Sequence, residues 1–373
     1  MRSFPRLSVM TLSSAFFLTT APVWAGPVYE NSSGGSFTFY GQFSPAYADF
    51  DDGSDSKGEG ADNAKSNSRV GFTLAQPFGD YELGFKFETA LGLRQTSSIS
   101  QLYTPDGLHW DRQKLRHVDF SLKTPGYGTF YLGQGSMASD NIGDRSYSGA
   151  TLAGDIAIGD VVGGYLLRRS NGVLSDVTVA DAFANFDGGR LGRVRYDSPD
   201  FNGFTLRAAY GRNILDSDNG DDYWDVAMAY ENELASGTKL TAGVGYMYRD
   251  REDPNAEDIK DTFVSGSVLL TSGFNFTLAA GDRNGAGAYY YGSAGYNADW
   301  VSWGGTAVTI DYYNGDDMVT EGDSAESWGV QMVQAVDRYD IDLYAGYRRY
   351  DYDDNVSDFQ NASSYMVGAR WKF

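Results

Sequence analysis

The chain has 373 residues, with 50 acidic and 29 basic side chains, two histidines and no cysteine. A formal net charge of −21 excludes the basic footprint that nucleic-acid binding requires, so no nucleic-acid partner is expected. Two histidines exclude a His-rich metal centre, and the lack of cysteine excludes disulfides.

Residues 1–25 have the layout of a secretory signal peptide. Two arginines give a positive start, an apolar stretch follows at 7–21, and small residues precede a cleavage site after Ala25. We expect residues 26–373 to form one folded unit without a linker. No run of about 18 apolar residues remains in this mature chain, which excludes a helical membrane protein.

The mature sequence is dominated by segments in which apolar and polar side chains alternate. From Tyr81 to Leu91, aromatic and aliphatic residues occupy every second position, and residues such as Lys86 and Glu88 lie between them. The same period of two recurs at 274–281. This pattern is typical of strands between lipid and a water-filled lumen.

About sixteen such segments follow one another, and short connections such as 77–80 alternate with long acidic ones such as 49–66. The sequence therefore predicts an all-β fold, a transmembrane antiparallel β-barrel of about 16 strands. A soluble β-sandwich is the alternative, but so long a series of strands fits a wide barrel better than a packed core. The segments start near residues 36, 68, 80, 115, 128, 189, 203, 222, 238, 260, 273, 288, 303, 324, 338 and 363.

The segment between Gly135 and Gly188 is much the longest connection. A loop of about fifty residues within a compact domain requires a functional explanation or disorder. Glycines among its acids would let it pack against a wall, whereas the alternative is a solvated acidic surface loop. The acids concerned are Asp140, Asp144, Asp155 and Asp160.

Four arginines occupy the polar faces of predicted strands. Arg69 alternates with Val70, Arg193 and Arg195 flank Val194, and Arg207 lies between Thr205 and Ala209. All four are predicted to face the lumen as pore-lining basic residues. Each could instead make a contact that stabilises the wall.

The last strand, 365–373, ends on an aromatic residue. Such an ending resembles the C-terminal signal by which outer-membrane barrels are recognised during assembly, although an ordinary edge strand could end so by chance. We predict that Tyr365, Trp371 and Phe373 serve assembly by the barrel-assembly machinery and face outward, where aromatic girdles form. Arg370 should face the lumen, far from any constriction.

Short motifs occur in strand order along the mature chain: Phe39-Tyr40-Gly41-Gln42, Ser68-Arg69-Val70-Gly71-Phe72, Val194-Arg195-Tyr196-Asp197-Ser198-Pro199 and the terminal Phe373. Together they resemble the Gram-negative general porins, and the alphaproteobacterial branch looks nearest. The resemblance implies a homotrimer of sixteen-stranded barrels, each with its own diffusion pore.

In that family the third external loop folds into the barrel and narrows it. By this resemblance, residues 135–188 include the constriction loop, and its four aspartates face the arginines across the pore. Arg169 resembles a loop-exit arginine that lines the constriction, and Arg168 is an equal candidate for that position. Facing acids and bases would orient dipolar solutes and admit small ions.

The chain departs from the family pattern at two positions. Many members carry lysine where this chain has Gln42, so one positive charge is absent. Arg116 resembles a pore arginine, yet its parity matches that of Val118 and Phe120, which should face outward. Either a bulge resets the register, or Arg116 lies at the subunit contact; we rank it below Arg69.

We expect an outer-membrane channel for passive diffusion of small hydrophilic solutes and ions, weakly cation-preferring, with no required cofactor. Calcium or magnesium could bridge the acidic external loops to lipopolysaccharide. A channel specific for sugar or phosphate is the alternative, because the chain holds 27 tyrosines. A barrel hydrolase using His117 beside Asp119 is a remote one, since no Gly-x-Ser-x-Gly motif occurs.

Overall fold

The computed structural model describes residues 28–373, which form a closed antiparallel β-barrel of sixteen long strands. The predicted signal peptide lies outside the described residues. The strands are β1 (Val28–Glu30), β2 (Ser36–Phe43), β3 (Pro45–Asp51), β4 (Ser56–Asp62), β5 (Arg69–Phe78), β6 (Tyr81–Ala90), β7 (Leu115–Thr124), β8 (Gly128–Ser136), β9 (Leu166–Arg168), β10 (Leu174–Thr178), β11 (Arg190–Asp197), β12 (Phe204–Arg212), β13 (Asp222–Glu233), β14 (Lys239–Asp250), β15 (Ile259–Leu269), β16 (Phe274–Arg283), β17 (Ala288–Val301), β18 (Gly304–Asp316), β19 (Ser324–Val336), β20 (Ile341–Asp353) and β21 (Ala362–Lys372).

Among residues 28–373, helical structure is confined to short pieces. Two single-turn α-helices lie in the long connection between β8 and β11, namely α1 (Gly159–Val162) and α2 (Val179–Ala182). The 3₁₀ turns are Ala64–Ser66, Thr96–Ser98, Arg112–Lys114 and Asp337–Tyr339. No helix among residues 28–373 combines the length and apolar character that crossing a bilayer requires.

Consecutive strands pair with one another around the barrel, and the first strand pairs with the last. β2 and β3 together form the first wall strand, which is interrupted at Ser44, and both pair with β21. β4 extends the first external loop, and β9 and β10 form a separate hairpin. The sixteen wall strands of the described residues begin within three residues of the predicted positions, so the predicted fold is confirmed.

Alternation along the strands separates an apolar outer face from a polar inner face. Leu278 on β16 is 71% exposed, whereas the adjacent Thr277 is 3% exposed. The same contrast recurs on β21, where Tyr365 and Val367 are exposed and Met366 is buried. So wide an exposed apolar surface is foreign to soluble monomers and fits a barrel in lipid.

Phe373 closes the barrel at the first strand. Its backbone N–H donates to the Gly41 carbonyl at 3.1 Å, and the Gly41 N–H donates to the Phe373 carbonyl at 2.8 Å. Its ring centroid lies 6.1 Å from that of Phe39 and 5.2 Å from that of Trp371. A β-carbon on Gly41 would lie 2.5 Å from the Phe373 ring, so glycine leaves the space that this ring fills.

The Phe373→Ala variant is therefore expected to lower the free energy of unfolding by about 1–2 kcal/mol, because it removes two aromatic contacts at the closing seam. Refolding into lipid vesicles, followed by heat-modifiable electrophoretic mobility, measures the folded fraction. The Phe373→Tyr variant keeps the ring and should fold like the parent chain. Equal losses in both variants would contradict a role for ring packing. Recognition of Tyr365, Trp371 and Phe373 by the assembly machinery stays a prediction.

Candidate pore constriction

The long connection between β8 and β11 lies inside the barrel. Most of its apolar side chains are buried, and Ile142 and Phe183 are fully so. Lumen-facing wall residues bond its backbone: Ser265 Oγ donates to the Ile142 carbonyl at 2.5 Å, and Tyr313 OH donates to the Ala184 carbonyl at 2.6 Å. The predicted folding of this loop into the barrel is confirmed.

Both ends of the loop are held by carboxylates. Asp225 on β13 accepts hydrogen bonds from the Ser139 N–H and hydroxyl, at 2.7 and 2.6 Å. Asp187 near the loop exit accepts backbone N–H bonds at 2.8–3.0 Å from three residues at the entry, Asn141, Ile142 and Gly143. These bonds fix the path by which the loop enters and leaves the lumen.

A turn between β4 and β5 binds the middle of the long loop. The Lys65 ammonium contacts the Asp155 carboxylate, donates to the Ala157 carbonyl at 3.2 Å and lies 3.9 Å from Asp160 Oδ2. Asn63 Nδ2 donates to the Leu152 carbonyl at 2.9 Å. The Lys65 side chain is only 4% exposed, so this pair is shielded from solvent.

The four predicted loop acids differ in their partners. Asp140 lies 3.4 Å from Arg190 Nη1 at the loop entry, and Asp155 is bound by Lys65. Asp160 keeps 54% of its side chain exposed. Burial, together with the charge of Asp155, raises the pKa of Asp144 to about 6. We call Asp144, Asp155, Asp160 and their neighbour Lys65 the acidic loop group.

A set of cations surrounds Glu88 on the wall of β5 to β7. Arg116 Nε lies 2.5 Å from Glu88 Oε1, and Arg69 Nε lies 3.8 Å from the same atom. Lys86 Nζ lies 3.9 Å from Oε2, to which Tyr40 OH donates at 2.8 Å. One carboxylate is thus shared by three cations, which leaves an excess of positive charge here.

A β-bulge brings Arg116 to the inner face. Glu88 on β6 is paired with His117, whereas the next residue, Thr89, is paired with Leu115. Arg116 is therefore the additional residue of β7, and the alternation of side chains shifts at this point. Of the two alternatives that the sequence left open, the structure shows the bulge.

Two further arginines complete what we call the basic cluster, Arg69, Arg116, Arg190 and Arg370. Arg190, the first residue of β11, and Arg370 on β21 both lie within electrostatic range of Arg69. Arg370 Nη2 lies 2.7 Å from Asp342 Oδ2, and its Nη1 donates to Ser66 Oγ at 3.3 Å. The expectation that Arg370 lies far from the constriction is wrong, because Ser66 is next to Lys65.

Charge is separated between the wall and the loop. With Lys86 and Lys372, the wall side carries six cations against the carboxylates of Glu88, Asp140 and Asp342. The acidic loop group carries three carboxylates against one lysine. The two sides therefore have opposite excesses of similar size, which create a transverse field while their sum is small.

Three of the predicted pore arginines are tied into the wall. Arg193 Nη2 lies 2.7 Å from Asp119 Oδ2, and its side chain is 2% exposed. Arg195 forms two hydrogen bonds of 2.7 Å with Asp197, and Arg207 Nε lies 3.9 Å from the same carboxylate. These contacts are of the wall-stabilising kind. That Arg193, Arg195 and Arg207 act on passing solutes stays a prediction.

The backbone of Arg169 packs against an external segment, and that its side chain lines the constriction stays a prediction. Arg169 forms a β-bridge with Phe359, while Arg168 binds Asp52 through two hydrogen bonds of 2.9 and 2.8 Å. This end of the long loop therefore docks on two external segments. Among the described residues, no contact joins Arg169 to the basic cluster, because the β9–β10 hairpin carries it towards the external loops.

Three of the external acids are engaged by arginines. In residues 28–373 no three His, Cys, Asp or Glu side chains are placed together to hold a metal ion. That calcium or magnesium bridges the external loops to lipopolysaccharide stays a prediction. Asp52 is bound by Arg168, Asp221 lies 2.5 Å from Arg249, and Asp222 lies 2.5 Å from Arg212.

His117 belongs to the wall between β7 and β11. Its Nδ1 lies 3.2 Å from Asp119 Oδ1, and Asp119 also binds Arg193. The bond between Asp119 and Arg193 joins β7 to β11, so this group of side chains holds the wall together. Hydrolysis by His117 stays the remote alternative.

The structure resembles solved porins at low sequence identity. An anion-selective porin from Comamonas acidovorans matches with 14% identity and a TM-score of 0.59, over 91% of this chain and 100% of that chain. OmpF of Salmonella typhi, solved with daunomycin, matches with 13% identity and a TM-score of 0.58, over 93% and 100%. The trimer form of OmpT from Vibrio cholerae matches with 16% identity and a TM-score of 0.55, over 91% and 99%.

No curated protein sequence matches the chain. The family model of the Gram-negative porins matches residues 13–355, which is most of this chain. The closed barrel, the loop within it and this match agree with one another. The chain therefore belongs to the Gram-negative porin family and forms a channel in the outer membrane.

Proposed function

We propose that this channel admits small hydrophilic solutes and ions by passive diffusion. The observation that carries the proposal is the separation of charge between the acidic loop group and the basic cluster. Such an arrangement admits hydrated, dipolar solutes and disfavours apolar ones. An apolar solute would displace water that the charges order and would form no favourable contact in its place. No step of the proposal requires a cofactor.

Single-channel recording in a planar bilayer tests this function. We expect ohmic conductance that appears and disappears in groups of three steps, because we also propose a homotrimer. OmpT of Vibrio cholerae, of the same fold, has been solved in a trimer form. Absence of conductance from folded protein would refute the channel proposal, and single steps would refute the trimer. Contacts with lipopolysaccharide and the barrel-assembly machinery belong to the same proposal.

A tyrosine slide for sugars is not favoured by the positions of the tyrosines. Tyr289 and Tyr291 are 3% and 5% exposed and pack beneath the long loop. Tyr290, between them, is 56% exposed on the outer face of β17. The three consecutive aromatic residues therefore serve the core and the lipid boundary, and diffusion is the better proposal.

Weak cation preference would arise from the external loops, because the charges at the constriction nearly balance. The chain has a formal net charge of −21, and many of its acids lie on those loops. Exposed charges act over about 10 Å at 0.1 M salt and about 3 Å at 1 M. We therefore expect the K⁺/Cl⁻ permeability ratio to exceed one at 0.1 M and to approach one at 1 M. Reversal potentials in salt gradients measure it, and a ratio independent of salt would place selectivity at the constriction instead.

A further inference from the structure

A polar cavity lies at the external mouth of the basic cluster. It has a volume of about 410 Å³ and lies between the external ends of β6, β7, β8 and β11 and the loop that follows β12. Cavities of this size are typical of small-molecule sites. Five carboxamide side chains line it, namely Asn67, Gln95, Gln113, Gln134 and Asn213.

The charges around the cavity are mostly positive. Lys114, Arg116 and Arg190 line it, and Asp216 is its one acidic lining residue within the described part of the chain. Arg116 and Arg190 also belong to the basic cluster, so the cavity borders the constriction. A solute bound here would have its anionic group beside the cations of the basic cluster.

Gln134 is a buried polar side chain without a partner. It is 4% exposed, and its Oε1 makes no hydrogen bond in the described structure. Gln134 also lines the cavity. Leaving a buried carboxamide unpaired costs about 1–3 kcal/mol, so a polar group entering the cavity would gain by bonding it.

We propose that this cavity is a subsite for polyhydroxylated carboxylates, that is, sugar acids, on the external side of the constriction. Each carboxamide offers both donors and acceptors, which matches the hydroxyl groups of such a solute. The lysine and arginines would bind its carboxylate through charge-assisted hydrogen bonds. The inference rests on the proposed channel function and names the solute class that this part of the channel selects.

Block of the K⁺ and Cl⁻ current in planar bilayers tests the proposal, with sodium glucuronate, glucose and sodium acetate as probes added to the external side. We expect glucuronate to block reversibly, at concentrations at least about tenfold below those of glucose or acetate, because only glucuronate offers both kinds of group. Equal potency of acetate and glucuronate would overturn hydroxyl recognition. Equal potency of glucose would overturn carboxylate recognition. No block by glucuronate in a channel that conducts salt would overturn the subsite and leave the channel function intact.

Variants of the rim connect the block to these residues. Gln113→Ala and Lys114→Gln lie in an external turn, so they leave the barrel strands unchanged. We expect the blocking constant of glucuronate to rise about threefold in the first and about tenfold in the second. Gln76→Ala, near the opposite end of β5, and Lys260→Gln, at another external cavity, are the matched controls. Block that is unchanged in both rim variants, or weakened equally in the controls, would overturn the assignment.

Discussion

Neutralising Arg69 and Arg116 together, as Arg69→Gln with Arg116→Gln, is expected to make the channel clearly cation-selective. Both guanidinium groups lie around Glu88, and their loss would remove the positive excess around this carboxylate. A unit charge about 8 Å from an ion in a water-like medium contributes about 0.5 kcal/mol. Each charge acts with opposite sign on K⁺ and Cl⁻, so loss of two such charges should raise the K⁺/Cl⁻ permeability ratio by up to about thirtyfold.

Reversal potentials at 1 M salt isolate this change best, because the exposed external acids are then screened, whereas Arg69 and Arg116, with side chains only 23% and 22% exposed, are screened less. Arg251→Gln is the matched control, since that arginine lies 3.4 Å from Asp221 on an external loop. It should leave the ratio at 1 M unchanged. The reciprocal variant Asp160→Asn should lower the ratio by up to about sixfold, because it removes an exposed acid of the opposite side. A double arginine variant with an unchanged ratio would show that the basic cluster does not line the ion path.

The barrel could be predicted from sequence because its cause is local. Each strand must place one face in lipid and one in water, and this demand repeats every two residues along β6, β16 and β21. Turn positions follow from the breaks in that pattern. Strand starts were therefore accurate without knowledge of any contact distant in sequence.

The basic cluster could be predicted only in part, because its composition depends on pairings between strands. Arg69 followed from parity, but the bulge at Arg116 depends on the register of β6 against β7. Arg193 and Arg195 have the same inward parity, yet Asp119 and Asp197 neutralise them. Parity gives the face of a side chain and does not identify the carboxylate opposite it.

Arg190 and Lys65 were harder still to predict from the sequence pattern. Arg190 begins the strand directly after the long loop, where alternation has only started, although its position beside the loop exit was a usable indication. Lys65 lies in a 3₁₀ turn of a long acidic segment, which has no periodicity. Its importance comes from Asp155, ninety residues away in sequence. No local pattern reports such a contact.

Replacing Lys65 by methionine is expected to loosen the constriction loop without unfolding the barrel. Methionine fills similar space but leaves the Asp155 carboxylate, which is 13% exposed, without its cation. Removing one partner of a buried ion pair costs about 3–5 kcal/mol. The strand pairings are untouched, so this cost falls on the loop. We expect noisier open-channel current, closure at lower voltage and faster proteolysis within 137–189, whereas the melting temperature of the barrel stays close to that of the parent.

The order of effects in a set of variants separates charge from anchoring. Asp155→Asn alone should loosen the loop less than Lys65→Met, because Lys65 still contacts the Ala157 carbonyl and the Asp160 carboxylate in that variant. The double variant should recover part of the loss, since no buried charge is then orphaned. Lys57→Met is the matched control, because Lys57 Nζ bonds only neutral acceptors, the Ser100 carbonyl and Thr104 Oγ1, among the described residues. If Lys65→Met alone matched this control in noise and closing voltage, the loop would be held by its wall hydrogen bonds, and the ion pair would serve only to set the charge of the aperture.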